Sequence, residues 1–196
     1  TVTVNVSTGA ALVTNINPNV PSSNPSGLVS AGNTVYFAAT DGSSGVELWK
    51  SDGTAPNTTR VADINTGSGG SSPANLTIVG NTLYYTATTT ATGIELWKTD
   101  LTTGTGATLV KDIRSGNLGS SIGNLVNFNG TLFFRATDGT PGIGNQIWKT
   151  NDTGTDAVRV GSGYSSASNL TVVGNTLYFT ASGGTQLWKT DGTDAG

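Results

Sequence analysis

Apolar residues in this chain come in short runs, and the same runs return. Leu76-Thr77-Ile78-Val79 leads through Gly80-Asn81 into Thr82-Leu83-Tyr84-Tyr85-Thr86-Ala87. Further on, Leu170-Thr171-Val172-Val173 leads through Gly174-Asn175 into Thr176-Leu177-Tyr178-Phe179-Thr180-Ala181. Two β-rich runs joined by a Gly-Asn or Asn-Gly pair read as a tight hairpin. The same pair stands at Gly32-Asn33 and at Asn129-Gly130. After each hairpin come a polar loop, such as 41–45 or 138–142, and a strand carrying tryptophan. A further turn leads to a fourth run: Thr59-Arg60-Val61-Ala62-Asp63-Ile64, Thr108-Leu109-Val110-Lys111-Asp112-Ile113, or Ala157-Val158-Arg159-Val160. No segment has helical periodicity. The pattern predicts four antiparallel strands per repeat.

The tryptophan strands set the repeat. Glu47-Leu48-Trp49-Lys50, Glu95-Leu96-Trp97-Lys98, Gln146-Ile147-Trp148-Lys149 and Gln186-Leu187-Trp188-Lys189 contain all four tryptophans, spaced 48, 51 and 40 residues apart. Strands such as Leu83-Tyr84-Tyr85 are apolar on both faces, so their sheet must be covered on both sides. A four-stranded sheet repeated at this period and sandwiched between its neighbours is a propeller blade. The expected fold is all-β: a β-propeller of four four-stranded antiparallel blades spanning residues 7–196. An orphan copy of the fourth strand, Ala10-Ala11-Leu12-Val13-Thr14-Asn15-Ile16, matches Ala107-Thr108-Leu109-Val110-Lys111-Asp112-Ile113. It is expected to close the last blade and remove its free edge. Residues 1–6 alternate Thr/Asn with Val and are read as a strand extension, available to lengthen the orphan strand or pair with a neighbouring molecule.

Composition narrows the chemistry. Among 196 residues there is no Cys, His or Met, so neither a disulfide framework nor a thiol nucleophile is available. Charged residues are only 11% of the chain, and the polar surface is built from Thr, Ser and Asn. The net charge is −3 with the basic residues scattered, which gives no electrostatic footprint for nucleic acid. No apolar run is long enough to insert in a membrane as a helix. The chain begins at Thr1 and is read as part of a longer product.

Glu47-Leu48-Trp49-Lys50-Ser51-Asp52-Gly53-Thr54 and Gln186-Leu187-Trp188-Lys189-Thr190-Asp191-Gly192-Thr193 resemble the ELWxxDGT repeat of bacterial secreted proteins. The likeness extends over the chain except residues 1–6. The second and third copies depart from it, with Asp100-Leu101-Thr102 and Asn151-Asp152-Thr153. The resemblance implies a β-propeller in an exported or surface-attached protein. It implies no activity, because a fold does not supply one.

The repeated polar positions read as structural. Glu47 and Glu95 are replaced by Gln146 and Gln186, and an amide cannot titrate, so the position asks for a hydrogen bond rather than acid–base work. Asp52, Asp100 and Asp191, with Asn151 in the third repeat, are calcium candidates; Asp–Asn exchange fits Asx turns instead, and the loops 41–45 and 138–142 are read the same way. Asp63 and Asp112, with Asn15 in the orphan copy, are assigned a strand-end hydrogen bond. No catalytic residue and no cofactor are expected. The binding candidates lie in the connections between repeats, since loops on a rigid scaffold carry function: Ser71, Ser72 and Asn75; Arg114, Asn117, Ser120, Ser121 and Asn124; Tyr164, Ser165, Ser166 and Asn169. The expected function is a non-catalytic extracellular module for adhesion or binding at the bacterial cell surface or matrix, its partner a surface glycan, a protein or further copies of itself. The alternatives are a self-assembling subunit of a fibre, sheath or surface layer and, more weakly, a glycan-active enzyme.

Overall fold

The computed structural model describes residues 9–18 and 22–193. Residues 1–6, read above as a strand extension, lie outside the described residues. The first sheet contains β1 (Ser26–Ala31), β2 (Thr34–Thr40), β3 (Val46–Ser51) and β4 (Thr59–Ala62). The second contains β5 (Ala74–Val79), β6 (Thr82–Thr89), β7 (Gly93–Asp100) and β8 (Thr108–Lys111). The third contains β9 (Gly123–Phe128), β10 (Thr131–Ala136), β11 (Gln146–Thr150) and β12 (Ala157–Arg159). The fourth has three strands, β13 (Ser168–Val173), β14 (Thr176–Ala181) and β15 (Gln186–Thr190). All pairings are antiparallel between strands consecutive in sequence, and no helix occurs among the described residues.

Each inner hairpin turns on two residues, as its sequence requires. Asn129 and Gly130 both take positive φ, the type I′ geometry whose twist matches the flanking strands. The first strand of every sheet also carries a register break, at Ser26/Val29, Ala74/Thr77, Gly123/Val126 and Ser168/Thr171. Inside each break stands a residue in the left-handed region, Gly27, Asn75, Asn124 or Asn169. Asparagine tolerates that conformation better than other side-chain-bearing residues, which explains why Asn recurs there.

The sheets stack face to face through one interface used three times. Tyr36, Leu48 and Val61 of the first sheet pack on Leu83, Tyr85, Ala87 and Trp97 of the second. Tyr84, Leu96 and Val110 pack on Leu132, Phe134, Ala136 and Trp148. Phe133, Ile147 and Val160 pack on Leu177, Phe179, Ala181 and Trp188. The tryptophans of the last three sheets therefore face the preceding sheet, where a large aromatic buries much apolar area. Innermost strands β1, β5, β9 and β13 run side by side in that order.

The sheets do not close, and this corrects the sequence-based expectation that residues 10–16 complete the last blade. Those residues form no strand on β15, and the fourth sheet remains three-stranded. Leu12, Val13 and Ile16 lie instead beside Leu28, Val35 and Phe37 of the first sheet, around a cavity of about 300 Å³. Asn17 is fully buried. Its amide donates to Asp41 O and accepts from Gly42 N, both at 3.2 Å. Asn65, at the end of the first sheet, likewise accepts from Thr90 N of the second at 3.3 Å. Residues 10–17 thus sit on the first sheet as the tail of a preceding sheet's outer strand would.

Candidate functional site

The motif residues are committed to holding the stack. The Glu47 carboxylate is fully buried and accepts from Ser71 N at 2.8 Å, from Ser71 Oγ, and from Ile64 N at 3.3 Å. Glu95 repeats this, accepting from Ser120 Oγ and from Ile113 N at 3.2 Å. Burial pushes the Glu95 carboxyl up to about 7, opposed by those hydrogen bonds and assisted by nearby Asp112; Glu47 shifts in the same direction for the same leading reason. At Gln146 the contact reverses: its Nε2 donates to Tyr164 O at 2.9 Å and Ile143 O at 3.0 Å. Carboxylate and amide are both used as staples onto the next connection, one as acceptor and one as donor.

Three proposed binding-loop residues are consequently not surface groups. Ser71 and Ser120 are fully buried against the two glutamates. Tyr164 is buried, donates to Val160 O, and packs edge-on against Phe179 and tilted against Trp188 with ring centroids 5.1 and 5.6 Å away. Arg114 is half-buried and lies against Gly139. Ser165 is half-buried, while Ser72, Asn75, Asn117, Ser121, Asn124, Ser166 and Asn169 are exposed.

The calcium candidates are each engaged by their own turn. Thr54 N donates to Asp52 at 2.9 Å, Thr102 N to Asp100 at 2.8 Å, and Thr193 N to Asp191 at 2.9 Å. No cluster of three or more acidic side chains able to hold a metal occurs among the described residues. The 41–45 loop is built the same way: Asp41 accepts from Ser43 N and Ser44 N, both at 2.9 Å, and these bonds lower its carboxyl to about 2. Asp63 Oδ2 pairs with Arg60 Nη2 at 3.4 Å, while Oδ1 of both Asp63 and Asp112 is buried without a hydrogen-bond partner.

Function is better sought where the repeats differ, and the largest departure lies in the third sheet. In the second and fourth sheets the inner strand is paired by Ala74 opposite Thr86 and Ser168 opposite Thr180. Those threonines receive the amides of Asn75 and Asn169 at 3.2 and 3.1 Å. In the third sheet the same pair is Gly123 opposite Arg135. A Cβ at Gly123 would stand 3.1 Å from Arg135 Nε and 3.4 Å from Nη2, so glycine leaves the room that the guanidinium occupies. Arg135 Nε is buried without a hydrogen-bond partner. By strand alternation its side chain shares a face with Phe133, toward the fourth sheet. Asn124, deprived of a threonine, instead accepts from Asn169 N at 3.2 Å and Ser168 Oγ at 3.4 Å of that sheet. A half-buried, unpaired guanidinium thus sits opposite Gly123, next in sequence to the Asn124 that reaches Ser168 and Asn169 of the fourth sheet. Such a group carries a desolvation cost that an incoming anion relieves. The sequence reading passed over Arg135, although its register against Thr86 and Thr180 is visible in the repeats.

No family model and no curated protein matches the chain. Solved structures do. Putative TolB from Agrobacterium tumefaciens aligns at TM-score 0.51 and 12% identity, over 76% of this chain and 50% of that one. A puromycin-hydrolyzing peptidase from Mycobacterium tuberculosis aligns at TM-score 0.51 and 13% identity, over 82% of this chain and 25% of that one. A GH43 endo-arabinanase from Bacillus licheniformis aligns at TM-score 0.41 and 15% identity, over 84% and 66% respectively. The fold is β-propeller-like. At these identities the likeness concerns the fold alone, and the chain spans about half the length of TolB. The comparisons correct the expectation of a non-enzymatic protein: a peptidase is among the structural neighbours, so the fold is one that an enzyme also uses.

Proposed function

We propose that this chain is a section of a β-propeller binding module of the bacterial cell surface or matrix, and that it engages an acidic glycan through Arg135. The observation that carries this reading is the coupled departure of Arg135 and Gly123 from the repeat, which leaves an arginine with no partner of its own. Guanidinium groups recognise carboxylate and sulfate bidentately, and neighbouring amides suit sugar hydroxyls. The secreted setting rests on the ELWxxDGT resemblance and on a surface rich in Thr, Ser and Asn.

The test compares the chain with Arg135→Thr, which restores the residue of the second and fourth sheets, on an array of uronic-acid, sulfated and neutral oligosaccharides. Acidic glycans are expected to bind in a salt-sensitive manner. Arg135→Thr is expected to weaken them about tenfold or more, as for loss of one charge-assisted hydrogen bond, at unchanged melting temperature. Equal binding by the variant, or preference of the parent for neutral glycans, refutes the reading.

A further inference from the structure

A second arginine departs from the repeat on the other side of the third sheet. Where the chain passes from an outer strand to the next connection it reads Ile16-Asn17, Ile64-Asn65 and Ile113-Arg114. Asn17 and Asn65 each hold the loop of a neighbouring sheet: Asn17 accepts from Gly42 N at 3.2 Å, and Asn65 from Thr90 N at 3.3 Å. Arg114 enters the same slot on the third sheet. A Cβ at Gly139 would stand 2.8 Å from Arg114 Nε, as one at Gly42 would stand 2.7 Å from the Asn17 amide. The asparagines end there, on backbone. The longer arginine passes the glycine with Cγ and Cδ, each 3.3 Å from that added carbon, and carries a charge the other copies lack. The carboxylate of that loop, Asp138, already has its cation. Its counterpart Asp41 faces Arg60 at 3.7 Å. Hydrogen bonds from Thr140 hold the Asp138 carboxyl low, helped by the charge of Arg159, which stands opposite Trp148 as Arg60 stands opposite Trp49. The Arg114 guanidinium has no hydrogen bond or ion pair among the described residues.

We infer that Arg114 and Arg135 form one bipartite anion site across the end of the third sheet, and that its ligand is an oligosaccharide with a carboxylate or sulfate on at least two of its sugars. The inference rests on the Arg135 reading above and adds a second contact to it. A short bonded path joins the two arginines. Ser120 Oγ accepts from Arg114 N at 2.9 Å, and Ser120 O accepts from Thr137 N at 2.8 Å. Thr137 lies two residues beyond Arg135, roughly 7 Å along the strand. Arg135 shares the face toward the fourth sheet, whereas Arg114 comes over from the second. A single acidic sugar therefore meets one guanidinium, and a chain laid over the end of the sheet meets both. Exposed Asn117 and Ser121 stand on the same connection, and an amide and a hydroxyl there suit the sugar hydroxyls. Each guanidinium offers a planar fork that matches a carboxylate or sulfate.

Calorimetric titration with galacturonic acid, hexagalacturonate and sulfated maltohexaose tests this. At least one six-sugar probe is expected to bind the parent about tenfold or more tighter than galacturonic acid does, and the probe that binds tells carboxylate from sulfate. Arg114→Asn installs the residue that Asn17 and Asn65 provide in the other copies, so the melting temperature is expected to stay unchanged. It is expected to weaken the six-sugar probe about tenfold, as is Arg135→Thr, and the double variant about a hundredfold, since separated contacts add. Arg114→Gln, which keeps a longer stem across Gly139, is expected to lose as much as Arg114→Asn. Parental six-sugar affinity in both Arg114 variants, with a loss in Arg135→Thr, overturns the bipartite site and leaves the Arg135 reading standing. A loss in the Arg114 variants with none in Arg135→Thr overturns both. Failure of both six-sugar probes to bind the parent likewise overturns the inference.

Discussion

Replacing Glu95 by alanine should destabilise the protein by about 3 kcal/mol, while Glu95→Gln should leave the fold intact. Alanine strands the buried donors Ser120 Oγ and Ile113 N, each costing roughly 1–3 kcal/mol. Glutamine keeps an acceptor oxygen for these donors, and the third sheet already accommodates a glutamine at this position, although Gln146 donates there. The two variants also separate in pH. In the folded chain the Glu95 carboxyl lies at about 7, against an ordinary value of 4.5. Folding therefore favours its protonated form, and that contribution is complete below about pH 4.5 and is lost as pH rises through about 7. The stability of Glu95→Gln minus that of the parent should increase across this window by on the order of 3 kcal/mol. Urea titrations at several pH values measure it. A difference independent of pH would mean that the carboxylate ionises without penalty.

Gly93→Ala should be at least as damaging. Gly93 has φ +66°, and a Cβ there would lie 2.5 Å from Gly119 N and 2.7 Å from Asn117 O. This crossing lets Ser120 N reach Ile94 O at 3.0 Å, and Gly45 crosses Gly70 equivalently in the preceding connection. The left-handed backbone alone costs an alanine roughly 1–2 kcal/mol, and loss of the adjoining hydrogen bond adds roughly 1–3 kcal/mol. Gly80→Ala is the control, since Gly80 shares the positive φ but has nothing within 4 Å of the added carbon. Gly93→Ala should lower the melting temperature by roughly 6–12 °C for about 3 kcal/mol in a chain of this length, and Gly80→Ala by less than half as much. Equal effects would show that the crossing is not tight.

Most of the sheet architecture was legible because it is local. Hairpin pairs such as Asn129-Gly130 specify their turn within two residues, and Leu83-Tyr84-Tyr85 announces a strand buried on both faces. The structural role of Glu47 and Glu95 was legible through their exchange with Gln146 and Gln186. What failed was the long-range step. Residues 10–16 match a fourth strand, but likeness to β8 says only what kind of edge they fit, not that the β15 edge of the same chain is within reach. Ser71, Ser120 and Tyr164 looked like loop surface because hydroxyl groups in Gly- and Ser-rich connections usually face water. Their burial depends on carboxylates and aromatic rings roughly twenty residues or more away. Arg135 was hidden for the opposite reason: an arginine in a strand reads as an exposed charge until Gly123 is seen across the ladder.

The central claim is that residues repeated in every sheet build the scaffold, while the departure at Arg135 supplies the binding group. The most direct test is acidic-glycan affinity measured side by side for the parent, Arg135→Thr and the double variant Glu47→Gln/Glu95→Gln. The account predicts parental affinity for the double variant and a loss of about tenfold or more for Arg135→Thr. Loss of binding in the glutamine double variant, with Arg135→Thr unaffected, would contradict it.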